Sequence, residues 1–389
     1  MDITKNYSGL ATLCYFNIIG FFISDIIYHV FAKNSIIYIR PTLIIKTLFL
    51  VLFFYLIAKN YNRIKYKEIL LILGIISFLF LLEQILFKSK FNFKNSIFFG
   101  RYIYIMPMYL VYSSLLNRDK EIKKAIFLIE YIYIFNASLM IIAVFFDIDF
   151  FKRYSDARFG YTGFFSRDSI SYLSCLMIFY YHYLLMKKWS YKNFLLFALA
   201  IFIGLITGTK SIYLFLILFF IYLLITKEKR MKPIIVFIVF AIAIFCSTNA
   251  FKKTYSLFYR IYEENGLVNS ITSHRSELLN NIISGNSFYE NLKLFLFGGI
   301  DYSAIRRPEM ELFDLIFYFG IFATILIYYF YYKYLYVKFY CKENKFILLT
   351  FFIMAFFVSN FIHNINLSLW LIIFCSYFLN EKKISLQKM

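Results

Sequence analysis

Three acids enter an apolar run near the C-terminal end of the chain. In "RRPEMELFDLIFYFG" (306–320), Arg306, Arg307 and Pro308 lead into Glu309, Glu311 and Asp314. Proline suits a first helical turn, and Glu309 and Glu311 would then complement the positive end of a helix. That account weakens along the helix: at ~1.5 Å per residue, Asp314 lies roughly 9 Å beyond Pro308. Glu311 and Asp314 are spaced i, i+3, and Tyr318 follows four residues later, so all three share one face. Placed on a polar cavity, a carboxylate there takes the proton of a hydroxyl as a general base.

A second set of residues is cationic. Arg101, Arg158, Lys210, Arg275, Arg306 and Arg307 all fall at the same ends of the apolar runs as those acids. Arginine forks hold phosphate oxygens bidentately and lysine acts as a point charge, so a diphosphate is the natural ligand for the group. Each cation taken singly would equally serve by snorkelling or by pairing with a loop acid. As a group they are costly beside membrane spans and read as functional. His274 and His363 are candidate polar-site residues. No HExxH or comparable spacing occurs, so no metal is expected. The tail "GTKS" (208–211) lacks the first glycine of a phosphate loop and opens into an apolar run, so neither ATP nor NAD chemistry has support, and no cofactor is expected. Cys14, Cys175, Cys246, Cys341 and Cys375 form no CxxC pair, and most lie in or beside apolar runs.

The elements that must position these residues are apolar helices. Hydrophobic residues make up 61% of the chain and its mean hydropathy is +0.68. Such a composition points to a polytopic membrane protein. The apolar runs are continuous, as in "LIIKTLFLVLFFYLIA" (43–58), and helices satisfy their own backbone groups in lipid. The expected fold is an all-α integral membrane bundle in one domain over 1–389. About twelve spans are read, near 10–30, 42–58, 69–87, 97–116, 125–147, 169–186, 193–208, 211–226, 233–250, 310–332, 346–361 and 364–380. Buried-span polar residues such as Glu83, Gln84, Glu130 and Asn136 are expected to hydrogen-bond between helices.

The net charge of +20 would suggest nucleic acid in a soluble protein. Here Lys and Arg lie in short clusters between apolar runs, and six clusters fall on one side. The exception is Lys88, Lys90 and Lys94. The positive-inside rule makes the majority side cytoplasmic and puts both termini there. A long loop, 251–309, then lies outside, with mixed charge and turn glycines. Long loops are often functional, and "HRSELLNNIIS" (274–284) within it is expected to be helical.

Several stretches, in order, resemble the O-antigen polymerase and ligase superfamily of bacterial membrane glycosyltransferases. "ITGTKSIYLFLILFFIYLL" (206–224) resembles its TGSR-type turn, with Thr209 at the serine and Lys210 at the arginine. "SHRSELLNNII" (273–283) and "LFGGI" (296–300) resemble its SGR segment and later Gly-rich step. "EMELFDLIFYFGIFATILIYYF" (309–330) resembles the span that opens with HN, with Glu309 at the histidine and Gly320 at the glycine. "RFGYTGFFSRDSISYLSCLMIF" (158–179) resembles the Arg-plus-Gly outer loop, with Arg158 matched. The acids in place of the HN histidine are closer to the repeat-unit polymerases than to the ligases.

The resemblance implies a GT-C-like fold in the bacterial cytoplasmic membrane, with its active face extracytoplasmic. It implies polymerisation of undecaprenyl-diphosphate-linked oligosaccharides into O-antigen or capsular polysaccharide, without metal. Arg158, Lys210 and Arg275, with Arg101, Arg306 and Arg307, would hold the diphosphate. Glu309, Glu311 or Asp314 would activate the acceptor hydroxyl. Membrane lipids and a chain-length regulator protein are the implied partners, and nucleic acid is not. The alternatives are a flippase or transporter for lipid-linked oligosaccharide, and a ligase of the same superfamily.

Overall fold

The structure is a computed structural model. It describes residues 7–33, 41–87, 93–115, 118–153, 159–226, 232–248, 275–301, 307–357 and 361–387, with scattered residues between 252 and 269. The described elements are helical, joined by short turns and by one isolated bridge between Lys152 and Tyr161. Among the described residues six helices are long and apolar enough to cross a membrane: Ser8–Ala32, Pro41–Lys59, Lys67–Ile85, Asp119–Phe145, Asp168–Lys187 and Glu311–Val337. Shorter apolar helices cover Tyr191–Ile206 and Lys210–Thr226. The chain divides into two compact units, one of 1–21, 43–126 and 272–389, the other of 22–42 and 127–271.

The first unit contains most of α1 (Tyr7–Lys33) and α2 (Pro41–Lys59), then α3 (Lys67–Phe87), α4 (Phe93–Ile103) and α5 (Ile105–Tyr112). A single span was expected over 97–116. The helix is interrupted at Tyr104 instead. Pro107 explains the interruption: it has no N–H for the carbonyl four residues earlier, Ile103, and its ring crowds that turn.

After α6 (Asp119–Phe145), which the two units share, the first unit resumes far along the chain. There α11 (Arg275–Ser284) and α12 (Phe288–Phe297) lie within the expected loop. Ser287 caps α12 in a reciprocal box, its Oγ accepting from Glu290 N (3.3 Å) while Ser287 N donates to Glu290 Oε2 (2.8 Å). The unit closes with α13 (Glu311–Phe330), α14 (Lys342–Phe357) and α15 (Ile365–Gln387).

Helix α13 is discontinuous. Gly320 has φ 77° and ψ 167°, outside any helical region. The break frees carbonyls at Phe317 and Tyr318, which would be costly in a dry interior. Ile300 N donates to Phe317 O (3.0 Å) and Gly299 N to Tyr318 O (3.4 Å), so the segment after α12 replaces the lost helical bonds. The approach is close enough to need glycine on both sides. A Cβ on Gly298 would sit 2.6 Å from Gly320 N, and one on Gly320 would sit 2.7 Å from Phe297 C. Positive φ excludes a side chain at both positions as well.

The second unit is built around α7 (Arg167–Lys187), α8 (Tyr191–Ile206), α9 (Lys210–Thr226) and α10 (Lys232–Ser247). Helix α7 is buried along most of its length. Gly208 (φ 63°) turns the chain between α8 and α9 against the backbone of Phe159 and Gly160. Tyr161 N donates to Ile206 O (3.0 Å), which fixes the preceding loop to that turn. Asn136 was expected to bond between helices. It grips the loop backbone instead, accepting from Phe164 N (2.8 Å) and donating to Thr162 O (3.1 Å).

Candidate functional site

In the first unit, α13 begins three residues later than Pro308 would suggest. Glu309 adopts φ 58° and Met310 stays extended, so the helix opens at Glu311. Pro308 is therefore not in the first turn. This offset separates the acids. Glu309 is exposed and turned away from the helix, where it accepts from Arg275 Nη2 (2.9 Å). Glu311 and Asp314 occupy the first turn and are 0% exposed. Tyr318, on the same face, is also fully buried and donates to Asn95 O. Glu311 Oε2 accepts from Ile362 N (3.0 Å).

Ile362 belongs to the turn before α15. Asn364 caps that helix, its Oδ1 accepting from Leu367 N (3.1 Å). The cap fixes His363, the next residue back. His363 stacks on Phe98 (centroids 5.6 Å apart, planes at 29°) and packs against Tyr102 (5.1 Å). Arg101 Nη1 lies 3.4 Å from His363 Nε2. Because a guanidinium only donates, that nitrogen accepts and the imidazole proton sits on Nδ1.

Arg307 completes the cluster. Its guanidinium carbon lies 5.2 Å from the Phe98 ring centroid, and that of Arg101 lies 5.7 Å from the same ring. Two arginines thus share one aromatic platform, a contact worth ~0.5–2 kcal/mol each depending on desolvation. Burial opposes the charge on Arg307, but Tyr102, Asp314, Glu311 and Glu309 attract it, and the net effect raises its pKa. For His363 the balance runs the other way. Burial, and then Arg307, Arg101 and Lys46, hold its imidazole well below the usual range, so it is neutral at pH 7. Arg307 Nη1 and the Tyr102 hydroxyl are both buried, and the Arg307 guanidinium interacts with that hydroxyl.

The second unit holds a separate polar group at the start of α9. Thr209 Oγ1 donates to Ser171 Oγ (3.0 Å), and Ser211 Oγ donates to Thr209 (3.1 Å). Lys210 is half-buried beside them. Arg153 approaches Ser171 Oγ (3.5 Å) and Asp168 (3.4 Å) with only 8% of its side chain exposed.

No family model, curated protein or solved structure matches the chain. Of the residues singled out in the sequence, Arg101, Arg307, His363, Glu311 and Asp314 gather around Phe98 and Tyr102. Arg275 and Glu309 form their own ion pair, and Lys210 lies in the other unit. Arg158, His274 and Arg306 lie outside the described residues.

Lys46, Phe98, Tyr102 and Arg153 are not among the residues that type and spacing single out. Two of these had a signal. Lys46 is a lysine inside an apolar run, and Arg153 is a cation five residues before Arg158. Phe98 and Tyr102 had none, because they are two aromatics in a chain with 52 Phe and 36 Tyr.

Proposed function

We propose that the protein is a membrane glycosyltransferase that polymerises lipid-diphosphate-linked oligosaccharide units into a surface polysaccharide, O-antigen or capsule. The observation that carries this reading is the meeting of Arg101 and Arg307, on one aromatic platform, with the buried acids Glu311 and Asp314. Donors of planar, bidentate geometry suit a diphosphate leaving group. A carboxylate in the same enclosure suits the acceptor hydroxyl. In the proposed step the acceptor oxygen bonds to the anomeric carbon of the donor sugar. The bond from that carbon to the diphosphate oxygen breaks, and the acceptor proton passes to Glu311 or Asp314. Negative charge grows on the departing diphosphate, where the arginines stabilise it most. Glu309 takes no proton in this scheme; it positions Arg275. The bacterial cytoplasmic membrane, undecaprenyl diphosphate as carrier and an extracytoplasmic active face belong to the same proposal, as does the count of about twelve spans in a GT-C-like bundle.

The broken α13 favours a second reading, a transporter of the same lipid-linked sugars, since interrupted helices line binding sites in many transporters. Gene deletion separates the two. Loss of a polymerase leaves single repeat units on the cell surface, and loss of a flippase leaves none. Loss of a ligase leaves full-length polymer on its carrier. Normal long chains from stably inserted Arg307→Ala and Asp314→Ala variants would remove the site assignment.

A further inference from the structure

Between α11 and α12 lies an open cavity of about 460 Å³. Its walls are Asn281 and Ile282 on α11, Asn286 in the turn that follows, and Leu294 on α12. Its floor is the 299–301 segment, ending at Asp301. The volume falls in the range of small-molecule sites and far exceeds a single ion.

The lining chemistry is narrow. Among the described residues no lysine or arginine borders the cavity, which argues against phosphate. Among the described residues a single carboxylate borders it, few hard ligands for a divalent cation that takes about six oxygens. What remains is one carboxylate, two carboxamides, exposed glycine backbone and aliphatic surface. Carboxamides both donate and accept, and a carboxylate accepts twice. That set matches a ligand with several hydroxyls on a ring whose C–H faces are apolar. Asn286 is already oriented, since its Nδ2 donates to Ile282 O (2.9 Å).

The position of the cavity gives it a role. Its floor is the segment whose N–H groups bond to Phe317 O and Tyr318 O, one turn beyond Asp314. Its α11 wall begins at Arg275, which is paired with Glu309 just before Glu311. The cavity is tied at both ends to the segment that carries the buried acids. We infer that it is a saccharide-binding site for a neutral, hydroxyl-rich sugar. Its assignment to the acceptor end of the chain rests on the polymerase reading, but the binding itself does not.

The test is saturation-transfer NMR on the full-length protein in nanodiscs. The probes are the methyl glycosides of glucose, galactose, N-acetylglucosamine, N-acetylgalactosamine and rhamnose. At least one is expected to receive saturation from the protein. Asn281→Leu and Asp301→Asn should each weaken that binding about five-fold, as for one lost hydrogen bond. Asn281 is exposed, so its variant keeps the fold. Inorganic pyrophosphate should not compete. Silence from all five glycosides, unchanged binding in both variants, or displacement by pyrophosphate would each overturn the assignment. A gene deletion that leaves polymer intact, alongside sugar binding lost in Asn281→Leu, would remove the polymerase reading and keep the cavity. A deletion phenotype without sugar binding would do the reverse.

Discussion

At the scale of single residues, charge and burial assign distinct tasks to groups that the sequence places side by side. Arg307→Lys keeps the charge but loses the planar fork, which is not a conservative change at a bidentate site. On the polymerase reading, transfer of repeat units by that variant should fall on the order of a hundredfold, as when one transition-state donor is removed; polymer length on gels of surface polysaccharide would show it. Glu311→Gln retains an acceptor for Ile362 N, so it should insert and fold. Glu311→Ala leaves that buried N–H unsatisfied at a cost of ~1–3 kcal/mol, and its thermal midpoint should drop where that of Glu311→Gln does not. Lys338, one residue past the Glu311–Val337 span, lies 3.5 Å from the Tyr66 ring centroid. Burial, with Lys65 and Lys383 nearby, lowers its pKa from 10.5 to about 7. Between those values the unfolded chain holds the extra proton, so stability rises with pH above about 7. Melting curves in detergent between neutral pH and about pH 10 should show that rise, and Lys338→Met should abolish it.

At the scale of elements, the sequence was legible where a pattern was local and opaque where a backbone was disturbed. Apolar runs gave the helices over Pro41–Lys59 and Asp119–Phe145, and the stretch near 274–284 is a helix as expected. The start of α13 was misjudged because Glu309 enters the left-handed region, which a proline followed by acids does not announce. Its break was invisible for another reason. A single glycine in an apolar run is compatible with an unbroken helix, and only the return of Gly299 and Ile300, from the segment between α12 and α13, makes the interruption affordable. Gly320→Ala should therefore cost on the order of 2–3 kcal/mol from positive φ, with backbone collision in addition. A fall in thermal midpoint larger than for Gly74→Ala, in open space on α3, would measure it. The same reasoning covers the site. The acids and arginines could be named from their types and spacing. Their shared platform, Phe98 with His363 and Tyr102, depends on packing between α4 and the turn before α15, which no local pattern encodes.

At the scale of the whole molecule, hydropathy established an all-α chain with membrane-crossing helices, and orientation rests on charge counts alone. Cys246 tests it, being exposed near the end of α10 while Cys14, Cys175, Cys341 and Cys375 are buried. A membrane-impermeant maleimide should label intact cells at Cys246, and Cys246→Ser should remove the label. Labelling only after permeabilisation would invert the assigned orientation. The junction of Gly299 and Ile300 with Phe317 and Tyr318 has its own consequence at this scale. Residues 275–301 and 309–320 share backbone hydrogen bonds that neither half can make by itself. In exchanges between related chains, a donor loop grafted without its own half-helix would arrive with unmatched register. The two segments can be inherited, recombined or engineered only as one cassette, so differences in the cavity lining and in the acid pair should travel together.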